Sequence, residues 1–189
     1  MGISRFSAAA VTWLALLAGV IVPAVGVIAA EAVDFPRLTI DLGTVVSDID
    51  ASVAFYTDGI GFRAVKGFDV GADVAQAAGL TDGKPVSIRV LVLGVGPDAT
   101  KLKLMQVAGT SPRGGDNQFI HSHTGFRYLT IMVADIDAAV SRLKAIGVEP
   151  LAQSPVQLPE SLGPGLSLLC VRDPDGNIVE LVGPKSQKK

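Results

Sequence analysis

The side chains capable of metal or nucleophilic chemistry are few in this chain. Its 189 residues include two histidines, His121 and His123, and one cysteine, Cys170. A single cysteine closes no intramolecular disulfide and rules out cysteine-based zinc centres. His-x-His on an extended segment turns both imidazoles to one side. With a carboxylate such as Glu180 they would make the two-histidine, one-carboxylate set that binds ferrous iron. The competing role for both is hydrogen bonding in a loop at a cleft rim. Cys170 lies inside the apolar run Leu166 to Val171 and reads as a small core residue. Arg89 could face a cleft and bind an anionic ligand, or point outward into solvent. Gly94-Val95-Gly96 has no helix after it and is no phosphate loop.

Net charge is −2, so nothing draws the chain to nucleic acid. With 49% hydrophobic and 18% charged residues it suits a globular domain able to bury a real core. Arg5 is followed by an uncharged run from Phe6 to Ala30, and Ala30-Glu31-Ala32 supplies a small-residue cleavage site. Residues 1–32 therefore read as a secretory signal, which implies export to a periplasm or the exterior. The alternative is an uncleaved anchor over residues 6–30, long enough for a bilayer core of roughly 30 Å. Only then would a membrane be a partner.

The elements that must position these groups come as a repeat. Val46-Ser47-Asp48-Ile49-Asp50-Ala51-Ser52-Val53 returns 87 residues later as Val133-Ala134-Asp135-Ile136-Asp137-Ala138-Ala139-Val140. Two copies at so long a period indicate two similar half-domains rather than a solenoid. In the first, residues 33–109, Leu38 to Val46 reads as a strand and Ser47 or Asp48 as a helix N-cap. Ile49, Val53, Tyr56 and Ile60 form one apolar helical stripe, stopped by Gly61. A short helix is expected over Gly71 to Gly79, then strands over Val86 to Leu93 and Lys101 to Val107.

Residues 110–125 have a linker composition. The second module, 126–184, repeats the order: a strand over Arg127 to Val133, then a helix striped by Ile136, Val140, Leu143 and Ile146. A proline-rich loop (Pro150 to Pro164) replaces most of the next strand. Strands over Leu166 to Val171 and Ile178 to Val182 flank the turn Asp173-Pro174-Asp175-Gly176-Asn177. Residues 185–189 are a polar tail. The fold class is α+β, two paired β-α-β-β-β modules.

This order resembles one family. The Val-Ser-Asp-Ile helix start, its run to Ala54-Phe55-Tyr56, the Gly61-Phe62 exit, and Asp173 to Leu181 all resemble the vicinal oxygen chelate superfamily. That superfamily includes glyoxalase I, bleomycin-resistance proteins and extradiol dioxygenases. The resemblance implies an incomplete barrel around one cleft, with metal ligands on the first and last strands of each module in metal-using members. The matching positions here are Asp41, Lys103, Tyr128 and Glu180, and Glu180 alone is the usual ligand type. His121 and His123 lie in the linker, off those strands.

A charged lysine offers a metal no lone pair. Lys103 is therefore expected to stand in for the metal, between the carboxylates of Asp41 and Glu180, with Tyr128 donating a hydrogen bond. The resulting expectation is a protein that binds a small organic ligand in the inter-module cleft without the family's usual metal. The competing class is a lyase, isomerase or dioxygenase using Zn, Ni, Mn or Fe. Glu180 would then be ligand or general base, with Tyr128 or His123 as acid. A homodimer is compatible with either.

Overall fold

Each repeat builds its own four-stranded sheet, and both sheets have the same strand order. The computed structural model describes residues 35–186; the leader expected over residues 1–32 lies outside them. Among the described residues no helix is long and apolar enough to cross a membrane. The first module contains β1 (Asp41–Val45), α1 (Ile49–Ala54), β2 (Arg63–Val70), α2 (Ala72–Ala77), β3 (Val86–Leu93) and β4 (Thr100–Val107). The second contains β5 (Tyr128–Met132), α3 (Ile136–Ala145), β6 (Val156–Gln157), β7 (Leu166–Arg172) and β8 (Ile178–Pro184). The sheets run β1-β4-β3-β2 and β5-β8-β7-β6, with β1 on β4 and β5 on β8 parallel and the other pairings antiparallel. Neither sheet closes into a barrel.

The repeated Asp starts each long helix. Asp48 Oδ1 accepts from the backbone of Asp50 and Ala51, and Asp135 Oδ1 accepts from Ala138, satisfying amides that have no partner inside the helix. α1 does not continue as one regular helix. It passes into a π-helical segment, Phe55–Ile60, which ends at Gly61 with φ of 108°. That winding buries two adjacent aromatics, Phe55 and Tyr56, where a regular stripe accounts for Tyr56 alone. β1 is shorter than the run from Leu38 suggests, and the proline-rich loop keeps only the two-residue β6. In β2 the ladder slips between Val65 and Phe68, where a Cβ on Gly67 would come within 2.2 Å of the Ile88 carbonyl oxygen.

One apolar core joins the modules. Phe55, Tyr56, Ile60, Leu91, Leu102 and Leu104 of the first pack in the same cluster as Ile136, Leu143, Leu169, Val179 and Leu181 of the second. Burying each such side chain contributes about 1.5–3 kcal/mol before entropy is counted. The two sheets belong to one compact unit beginning at Pro36. A second apolar cluster (Val86, Ile88, Val90 and Val92 with Ala75 of α2) lies on the other face of the first sheet.

Candidate functional site

Strand alternation decides which side chains meet. Leu102 and Leu104 point into the shared core, so Lys101, Lys103 and Met105 point the other way. Parallel pairing sets Asp41 beside Lys101 and Gly43 beside Lys103, which brings Asp41 to the Lys103 face. Lys103 Nζ lies 3.0 Å from Asp41 Oδ2. Asp41 Oδ1 accepts from Arg37 Nη2 at 2.5 Å. Arg37 above all holds the Asp41 carboxyl below its ordinary value of 3.8; burial pushes it upward, and Lys103 adds to the lowering.

This differs from the arrangement expected from sequence. Lys103 does not sit between two carboxylates. Among the ion pairs of the described residues it meets Asp41 alone, and Glu180 takes part in none. Glu180 Oε2 instead accepts from Thr130 Oγ1 at 2.8 Å. It stands opposite Cys170 on β7, whose thiol is pushed up by burial and, secondarily, by the Glu180 charge. The expected pattern is thus inverted, with one carboxylate held by two cations. Arg37 was missed because it precedes β1 and occupies none of the positions the resemblance points to. The signal available was a cation four residues before Asp41.

Tyr128 and Asp41 both line a cavity of about 450 Å³ where β1 and β5 come near each other. Its walls are largely apolar, from Ile40, Leu42, Leu102, Phe126, Leu129 and Ile178, with Tyr56, Arg127 and Asn177 adding polar groups. A mostly apolar pocket of this size with a few polar groups is the usual form of a small-molecule site. Of the four positions, Asp41 and Tyr128 line this seam pocket; Lys103, which pairs with Asp41, and Glu180 are not among its walls.

Arg89 is placed elsewhere. It stands opposite Leu104 across the β3–β4 ladder, on the opposite face from Lys103, because antiparallel partners share a face. It borders a different cavity of about 620 Å³, with Ser47, Ser87 and Gln106.

His121, His123 and Glu180 do not come together. Among the described residues no three His, Cys, Asp or Glu side chains are grouped to hold a metal ion. His121 stacks on Phe119 at 5.6 Å, and His123 packs so close to Gly115 that a Cβ there would lie 3.0 Å from its ring. The linker that carries them is pinned by arginines. Arg127 donates to the carbonyls of Asp116, Phe119 and Ile120, and Arg172 to those of Asn117, Gln118 and Gly176.

The model of the Glyoxalase/Bleomycin resistance protein/Dioxygenase superfamily matches residues 40–181, most of the chain. The chain belongs to that superfamily. A glyoxalase family protein from Bacillus cereus superposes with a TM-score of 0.66 at 21% identity, over 84% of this chain and 100% of that one. Trypanothione-dependent glyoxalase I of Leishmania major gives 0.52 at 23% identity, over 78% of this chain and 86% of its own. Glyoxalase I from Zea mays gives 0.55 at 18% identity over 80% of this chain, which spans 46% of the maize protein. At these identities the likeness is one of fold. A search of curated proteins returned no match.

Among the described residues, Asp41, Lys103, Tyr128 and Glu180 do not gather with other His, Cys, Asp or Glu side chains into a metal-donor set. Lys103 brings a cation, Asp41 is already engaged by two cations, and Glu180 lies with Thr130 rather than with an imidazole.

Proposed function

We propose that this chain binds a small organic molecule in the seam pocket, with Lys103 and its Asp41 partner in the place a metal takes in metal-using relatives. The observation that carries this reading is the juxtaposition of an apolar cavity of about 450 Å³ with a carboxylate fixed by two cations at its wall. The cavity supplies desolvation for an apolar body. Tyr128, Arg127 and Asn177 supply orientation. Such binding needs no metal ligands, and the antibiotic-sequestering branch that the family resemblance includes shows the fold is compatible with it.

The test is a titration of the full chain with a panel of small aromatic and aliphatic compounds in chelator-containing buffer, followed by amide chemical shifts. Binders are expected to move Leu42, Leu102, Tyr128 and Ile178 together. Binders that move only the Arg89 cavity, or no binder at all, would sink the reading.

A further inference from the structure

The two sheets share one strand order, so a ladder position in one module has a copy in the other. Lys103 corresponds to Glu180, and the ladders carry that match to the neighbouring strands. Arg89 pairs with Leu104 as Leu169 pairs with Leu181. Leu169 is fully buried in the shared core, as is Leu91, two residues on from Arg89 on the same face. The first module thus sets an exposed arginine where the second packs a leucine. The next pair on that face departs as well. Gly183, opposite Ser167, lets β8 close on Val133, because a Cβ there would lie 2.2 Å from the Val133 carbonyl oxygen. Its copy is Gln106, opposite Ser87, whose side-chain Nε2 donates to the Ser47 carbonyl at 3.0 Å.

Both departures border the cavity of about 620 Å³, which Arg89 and Gln106 line with Ser47, Ser87, Thr110 and Ser111. Of its lining residues Arg89 alone is charged, and among the described residues it takes part in no ion pair. Natural sequences depart from internally consistent packing chiefly at functional positions. We propose that this cavity binds a small organic carboxylate, with Arg89 as its counter-ion and Ser47, Ser87 and Gln106 as hydrogen-bonding groups around it. The planar guanidinium fork fits a carboxylate, and one unpaired cation matches one negative charge. The hydroxyls and the amide can each donate or accept, which suits a ligand with further polar groups. This cavity shares no lining residue with the seam pocket, so the proposal stands apart from the function assigned there.

The experiment titrates the full-length chain with benzoate and with benzamide, which share shape and differ in charge, and follows amide chemical shifts. Benzoate is expected to move Ser47, Ser87, Gln106 and Thr110, and to bind about tenfold more tightly than benzamide, the scale of a charge-assisted pair. In Arg89→Leu, which repeats the second module's choice, and in the polar variant Arg89→Gln, that preference should fall to about one. Thermal melts confirm that each variant is folded. A preference retained in either folded variant overturns the proposal. Equal binding of the two probes at these residues overturns it too. So does a benzoate response confined to Leu42, Tyr128 and Ile178, which would leave the seam pocket standing, and so does an absence of binding.

Discussion

The Tyr56 hydroxyl donates to Asp173 Oδ2 at 3.0 Å, and both side chains are buried. This bond ties the π-helical segment of the first module to the Asp173–Asn177 turn of the second. Asp173 also accepts from the backbone of Asp175 and Asn177 and from the Asn177 side chain, so its charge is met on several sides. Asp175 in turn accepts from the Ser47 backbone. The turn that closes the second module thereby clasps the first helix, and Tyr56 and Asn177 reach the seam pocket from the same junction.

Burial first, and the Asp173 charge second, push the Tyr56 phenol far above its ordinary value of 10.0. The folded state therefore keeps a proton that the unfolded state gives up. Stability from this group is complete below pH 10 and falls as pH rises past it, by up to about 1.4 kcal/mol per pH unit. Tyr56→Phe should flatten that alkaline loss in urea melts taken from pH 8 to 11. At neutral pH it should cost about 1–3 kcal/mol, because Asp173 loses one of its buried donors. An unchanged alkaline slope would contradict the assignment.

Asp41 shifts the other way, with a folded value below 3.8. Its contribution is present above that pH and is lost as pH falls through the folded value. Carboxyl-carbon titration should place its midpoint below 3.8, and Arg37→Met should raise it, since Arg37 is the largest cause of the lowering. The stability change should stay under about 1 kcal/mol, as expected for a partly exposed pair. A midpoint unmoved by Arg37→Met would show that the guanidinium does not hold Asp41 in solution.

The helices of the two modules meet at Gly59. A Cβ there would approach Ile146 Cδ1 to 2.8 Å and the buried Leu143 Cδ2 to 3.0 Å. Gly59→Ala should therefore destabilise by about 1–3 kcal/mol in urea unfolding. Gly114→Ala in the linker, where a Cβ meets nothing within 4 Å, should be neutral or slightly stabilising. Equal effects of the two would argue against the helix contact.

The repeat made most of the fold legible. Asp48 and Asp135 mark equivalent helix starts because a carboxylate that caps backbone amides is a local feature, and the two sheets share one strand order. The π segment was not legible, because Phe55 and Tyr56 are buried side by side only after the winding changes. Arg89 shows a different difficulty. The run Val90-Leu91-Val92-Leu93 is apolar on both faces, so alternation within β3 cannot say which side Arg89 takes; pairing with Leu104 decides it. Lys103 was readable because Leu102 and Leu104 bracket it. Its partners were only half readable: Asp41 through the position that the family resemblance points to, Arg37 through no periodic pattern at all.

The measurement that bears most directly on the central claim is elemental analysis of protein purified without chelator or affinity tag, followed by titration with Zn, Ni, Mn and Fe(II). With Lys103 and Arg37 holding Asp41, no metal should be retained in stoichiometric amount, and Lys103→Met should not by itself create uptake. One tightly held metal per chain, lost in Glu180→Ala, would contradict the account and move the function to metal-dependent chemistry centred on Glu180.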